Sequence, residues 1–275
     1  MFSIVCVYNN KRIFDGLLFN SLNNQAASYE LIRIENANGV FKSAAQALNY
    51  GGNMASGKYI MFVHQDVSLE STTWLEEAEK VLDSLTNIGI AGIAGMSTDA
   101  NSNHARGRNI ISHGPDRRKW EAGHFIGSPE IVQTLDCCLL IIPKGVFDSL
   151  KFDESTCDDW HLYGEDYCLS STLKGLNSYV LPLSIYHASM GVRSLNRLKI
   201  LLQLGANPKE YYRTLKKVIK KHRQDYKYIY TSGGEWNTYQ PLIWQRIIMI
   251  AVAARDLIVN KFRLYVRVKE NQVRS

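Results

Sequence analysis

Long apolar runs, cysteine pairs, internal repeats and low-complexity tracts are all missing from this chain of 275 residues, and each absence closes off a class. The longest uninterrupted apolar stretch is Ile247–Ala254, far short of the roughly 20 residues a transmembrane helix needs. Met1–Val7 has no basic start followed by an apolar block. It reads as a first β-strand, so no secretory leader is expected. Cys6, Cys137, Cys138, Cys157 and Cys168 form no Cys-x-x-Cys pair, which argues for packed, reduced thiols in a cytosolic setting over a disulfide framework or a zinc site. No RNA- or DNA-reading motif is present, so nucleic acid is not an expected partner.

What remains is a chain that is 45% hydrophobic and long enough to bury a substantial core. Its formal net charge of +6 is unevenly spread. Residues 1–192 carry 14 Lys and Arg against 21 Asp and Glu, a net of −7, whereas residues 193–275 carry 18 against 5, a net of +13. The pI of about 9.0 therefore describes the tail.

Periodicity orders the first part. Ser3–Tyr8 is a short strand, a helical pattern surrounds Phe14, Leu17, Leu18 and Leu22, Tyr29–Glu35 alternates as a second strand, Ser43–Ala55 has helical spacing, and Lys58–Val63 is a third strand. Strand, helix, strand, helix, strand predicts a parallel sheet with right-handed crossovers, whose ligands gather at the strands' C-terminal ends. A helix near Trp74–Leu85 and a strand over Ile88–Gly95 follow. Ser97–Pro129 is a long stretch without periodicity, read as a flexible active-site flap or else an ordinary surface insertion. Val132–Pro143 reads as a strand containing Asp136, Asp159–Lys174 as a helix entrance, and Ser178–Tyr186 as a last strand ending at His187. From Val192 the pattern is helical, with Leu195, Leu198, Leu201 and Leu202 on one face and then Tyr211, Leu215, Val218 and Ile219 on another helix.

The tripeptide His64-Gln65-Asp66 ends the third strand. A carboxylate there can hold a hard cation, which can neutralise a diphosphate. Asn49–Tyr59 precedes it, Glu165-Asp166 follows about a hundred residues later, and His187 about twenty after that. Asp66, Asp166 and His187 each fall at a strand end or helix start, so they can converge on one crevice.

Here the chain resembles the family 2 inverting glycosyltransferases of the GT-A fold, in particular a subgroup resembling the streptomycin-biosynthesis protein StrF. The matching pieces are Ser3–Asn10, Asn49-x-Gly51-x-x-x-Ala55-x-Gly57-x-Tyr59, Val63-His-Gln-Asp-Val67, Thr134-Leu-Asp136, Phe152-Asp-Glu154, Trp160–Asp166 and His187-x-x-x-Gly191, in the family's order. They cover about the first 190 residues. The resemblance implies an α/β protein with a Rossmann-like, mostly parallel central sheet flanked by helices. It divides the chain into a catalytic domain, 1–192, and a basic helical C-terminal extension, 193–275.

The resemblance also implies roles. Tyr8, Asn10, Glu35, Asn49 and His64 would hold the nucleotide; Asp66 and His187 would bind Mn²⁺ or Mg²⁺ on the diphosphate. His64 stands where the family has an acid and brings no negative charge to the cation. Asp136, Trp160 and Glu165 would contact donor or acceptor sugar, and Asp166 would be the catalytic base. The implied reaction moves a hexose from a UDP- or dTDP-type sugar to a hydroxyl of a saccharide or lipid-linked acceptor with inversion, in surface polysaccharide synthesis or on a secondary metabolite. A binding-only relative that kept the fold is the runner-up. A nucleotidyltransferase is disfavoured, because Tyr8-Asn-Asn-Lys-Arg12 replaces the glycine-rich triphosphate loop it would need. The extension, with Lys216, Lys217, Lys220, Lys221, Arg223, Lys227, Trp236, Trp244 and Tyr265, suits the inner face of an anionic membrane or else a helical cap on the sheet.

Overall fold

Side chains along Phe2–Tyr8 alternate between two buried faces. Phe2, Ile4 and Cys6 join one hydrophobic cluster and Val5 the other. The third strand, Tyr59–Val63, does the same, with Ile60 and Phe62 on the side of Val5 and Tyr59, Met61 and Val63 opposite. A sheet apolar on both faces must be covered on both. The computed structural model describes residues 1–100, 103–109, 111–114, 118–119, 123–189, 207–252 and 254–255, and within them the cover is complete on this central pair.

The central sheet has seven strands in the order Glu130–Val132, Asn177–Val180, Ile88–Gly92, Leu139–Pro143, Tyr59–Val63, Phe2–Tyr8, Tyr29–Glu35. Five point one way, and Glu130–Val132 and Leu139–Pro143 are reversed. The expected parallel trio at the N-terminus is present in register, Phe2 facing both Tyr29 and Tyr59. One face is packed by the helices Ala44–Met54, Lys144–Ser149, Tyr163–Thr172 and Lys209–His222. The other carries the helical stretch from Lys11 to Asn23, which includes a π-turn at Asp15–Phe19, and the helix Trp74–Asp83.

Three expectations change in detail. Asp136 is not inside a strand: it lies in the connection between Thr134–Leu135 and Leu139–Pro143, with Oδ1 accepting from Cys138 N–H at 3.0 Å. The last strand is broken, Asn177–Val180 staying in the central sheet while Ile185–His187 joins a second sheet with Val67–Leu69, Ser112–His113 and Arg118–Lys119. The stretch read as a flexible flap or surface insertion supplies two of those strands and a third, Gly107–Arg108, to a small sheet with Gly95–Met96 and Thr134–Leu135. The polar-rich composition hid them because strands of two residues are too short to show alternation.

Tyr211, Leu215, Val218 and Ile219 form the helical face read from their spacing, and they share a cluster with Val5, Phe62 and Trp236. The pattern around Leu195–Leu202 and the 192/193 boundary lie outside the described residues.

Motif glycines act by space. A Cβ on Gly51 would stand 2.5 Å from Val5 Cγ1, so the helix Ala44–Met54 can approach the first strand only without one. At Gly57 the wall is backbone: a Cβ would meet Ser3 N at 2.7 Å and Met1 O at 2.8 Å. Main chain cannot yield as a side-chain tip can, so Gly57→Ala should cost about 1–3 kcal/mol of stability in urea unfolding.

Candidate active site

The strand Tyr59–Val63 runs out at His64, and a turn carries the chain through Gln65 and Asp66 into Val67–Leu69. Val67–Leu69 pairs antiparallel with Ile185–His187, His187 opposite Val67, and His113 sits opposite His187 on the other side. That register brings together residues far apart in sequence. His64, Asp66 and His187 each offer a ligand atom within 4.8 Å of the others.

Two cavities meet at this cluster. One, about 610 Å³, lies at the ends of the first two strands and is lined by Tyr8, Asn9, Asn36, Phe41, Lys42, Asp66 and others. The second, about 580 Å³, is lined by Arg108, His113, Asp136, Cys137, Glu165, His187 and Tyr211 among others. His64 and Trp160 border both, and the Trp160 side chain is 42% exposed, so an indole face is presented at the junction.

Electrostatics separate the members of the cluster. Burial works to raise the Asp66 carboxyl, but His187 and His64 beside it outweigh burial and hold it below the usual carboxylate range. Burial likewise opposes charge on His187, yet the carboxylates of Asp66 and Asp136 lift its pKa above the ordinary histidine value. His64 is pushed down by burial and by His187, which keeps it neutral. His187 Nε2 is buried, makes no hydrogen bond, and stands 3.3 Å from Asp66 Oδ1. An orphaned imidazole nitrogen beside a carboxylate, with a second imidazole at hand, is a donor set that fits a divalent cation.

The acidic pair on the helix Tyr163–Thr172 is split by helix geometry, since neighbours point about 100° apart. Glu165 faces the second cavity, where Cys137 Sγ–H donates to its Oε2 at 3.2 Å. Burial lifts the Glu165 carboxyl to about 7. Asp166 turns the other way, is 2% exposed, and receives Lys221 Nζ at 2.7 Å and His222 Nε2 at 2.8 Å from the helix Lys209–His222. Both of its oxygens are engaged and it borders neither cavity. Leu162, just before this helix, holds φ at 62°, a left-handed backbone that a branched side chain adopts only when its surroundings force it.

Other sequence candidates fall in three places. Tyr8 lines the first cavity, and its hydroxyl lies 3.4 Å from Glu35 Oε2 on the exposed rim. Asn10 caps the first helix through Ile13 N–H and borders neither cavity. Asn49 is spent on structure: it accepts from Phe152 N–H and donates to Phe152 O and Glu154 Oε1. Sequence reading passed over Asn36, Phe41, Lys42, Arg108, His113 and Tyr163. Lys42 and Phe41 sit in the loop after the second strand, and that position at a strand's C-terminal end was the available signal.

Residues 3–189 match the model of the Glycosyltransferase like family. The chain belongs to that family. No curated protein matches it. Among solved structures, the mannosyltransferase PcManGT from Pyrobaculum calidifontis, in complex with GDP-Man and Mn²⁺, is similar at 12% identity and TM-score 0.53, over 82% of this chain and 65% of that one. GalNAc-T7, with UDP, GalNAc and Mn²⁺, is similar at 10% identity and TM-score 0.54, over 81% of this chain and 47% of that one. This family member thus spans less than two thirds of either protein. At such identities the likeness shows the fold, the GT-A arrangement.

The raised Glu165 makes a stability prediction for the glycosyltransferase-like chain. Its folded pKa lies above the unfolded value of 4.5, so the folded state favours the proton and loses stability as pH rises through about 7. Glu165→Gln removes that penalty, and should raise the unfolding temperature relative to the parent at pH 8 but not at pH 4.5.

Proposed function

We propose that this chain is an inverting glycosyltransferase that moves a sugar from a nucleotide-diphosphate donor to an acceptor hydroxyl. The observation that carries the reading is the meeting of two cavities at His64, Asp66 and His187, one able to take a nucleotide and the other bearing a buried carboxylate. Tyr8, Asn36, Phe41 and Lys42 would enclose base and ribose. Asp66 and His187, with His64, would hold Mn²⁺ or Mg²⁺. When bound, the cation neutralises charge on the leaving diphosphate.

Inversion needs a base on the face opposite the leaving group. Glu165 meets the geometric demand, because a general base must reach the acceptor hydroxyl, and its pKa suits proton removal near neutral pH. We assign the base to Glu165 rather than to Asp166, whose oxygens are held by Lys221 and His222. Asp166 becomes a positioning residue that fixes the helix carrying Glu165. Trp160 and Asp136 would face the sugar, indole to ring and carboxylate to hydroxyls. UDP- or dTDP-linked donors, a saccharide or lipid-linked acceptor, and a place in surface polysaccharide synthesis are the corresponding substrate reading.

Glu165→Gln should lower transfer by about 10²–10⁴-fold with donor binding retained, and remove an ascending limb in kcat/KM near pH 7. A pH profile that loses this limb in Asp166→Asn but keeps it in Glu165→Gln would return the base to Asp166.

The extension adds a location. In the helix at 242–252, Ile243, Trp244, Ile247, Ile248, Met249 and Val252 are exposed, while Lys216, Lys220 and Arg223 are exposed on the helical segment before it. No helix among the described residues is long and apolar enough to cross a membrane. Exposed apolar side chains and exposed cations on one extension match an anionic lipid surface, and a second copy would instead oppose the same positive charge. The protein should float with vesicles containing anionic lipid and not with neutral ones, and Ile248→Asp should abolish flotation. Dimerisation through this helix without flotation would refute the assignment.

A further inference from the structure

The cation site has one carboxylate and two imidazoles, and its chemistry differs from that of a site built on two acids. Mg²⁺ and Ca²⁺ are hard ions that take oxygen ligands, and Mg²⁺ gives up water reluctantly. Imidazole nitrogen favours the later first-row ions, whose affinities rise from Mn²⁺ through Co²⁺ toward Zn²⁺. In this cluster Asp66 is the sole anionic donor, with His64 and His187 beside it.

Neighbouring hydrogen bonds prepare His64 for that task. Tyr163 has one hydroxyl proton. It donates to Cys137 O at 3.1 Å, and a carbonyl can only accept. His64 Nε2 lies 2.9 Å from the same hydroxyl, so both contacts are satisfied together when Nε2 carries the ring hydrogen. The lone pair is then on Nδ1. A fixed tautomer of this kind is what a metal-binding histidine needs from its surroundings. His187 brings a second nitrogen that is buried and without a hydrogen bond.

We propose that His64 ligates the cation through Nδ1, with Tyr163 holding its tautomer, and that this nitrogen donor shifts the site away from Mg²⁺ and Ca²⁺ toward Co²⁺ and Zn²⁺. The proposal rests on the cation site of the glycosyltransferase reading but is tested apart from turnover. The full chain, stripped with EDTA, is titrated with each metal alone and then with UDP present. Co²⁺ and Zn²⁺ should bind at least about tenfold tighter than Mg²⁺. Pulsed EPR of bound Mn²⁺ should show nitrogen modulation from imidazole, a readout on the unaltered protein.

His64→Asp, which restores a second carboxylate, should narrow the preference over Mg²⁺ and weaken the nitrogen signal. Tyr163→Phe should weaken Co²⁺ binding several-fold while leaving the fold intact by circular dichroism. Equal or tighter Mg²⁺ binding, or Mn²⁺ bound with no nitrogen modulation, would overturn the proposal. Neither result would touch sugar transfer, which is assayed separately. Selective cation binding without transfer from any nucleotide sugar would instead remove the catalytic reading and leave the selectivity standing.

Discussion

The antiparallel pairing of Val67–Leu69 with Ile185–His187 is the contact on which the site depends. It is only three residues long, yet it places His187 against Asp66 and lets His113 approach from the far side. A shift of one residue would turn His187 to the opposite face of the strand, because side chains alternate. The pairing is anchored by burial: Val67 and Ile185 are fully covered, and Ala188 N–H donates to Asp66 O at 2.9 Å, so the cluster's backbone is tied on both sides. Charge on Asp66 is kept by the imidazoles around it, which makes the register an electrostatic as well as a geometric device.

A second constraint comes from the basic extension. Its positive charge is partly consumed inside the molecule: Arg213 pairs with Asp159, Lys217 with Asp158, and Lys221 with both Asp153 and Asp166. Opposite charges therefore meet where the helix Lys209–His222 packs against the first part of the chain. Most of these pairs are solvent-exposed and contribute little each. The buried pairing at Asp166 differs, since removal of Lys221 would leave a buried carboxylate without its cation. That pairing holds the helix on which Glu165 lies, so residues beyond the family match position a side chain within it.

Much of the fold was legible because its signals are local. Strand alternation, helical spacing and their order read correctly for Phe2–Tyr8, Tyr29–Glu35, Tyr59–Val63 and the helix Lys209–His222. The short strands at Gly107–Arg108 and Ser112–His113 were not, since two residues carry no period and their pairing is set by distant partners. Among site candidates, Asp66, His187, Trp160, Asp136 and Glu165 converge, whereas Asn10 and Asn49 are occupied by a helix cap and a loop tie. An asparagine in a motif looks the same whether it binds a ligand or its own backbone.

By itself the sequence determined the layered α/β core, the family, and the residue types gathered at His64, Asp66 and His187, because these depend on patterning and chemical identity. Tertiary structure alone decided which carboxylate of Glu165-Asp166 faces a cavity. Neighbours on a helix diverge by about 100°, and only the packing of a helix some fifty residues later settles which direction is the cavity and which is a salt bridge. It also decided which group meets His64 Nε2, the hydroxyl of a tyrosine about a hundred residues away, Tyr163.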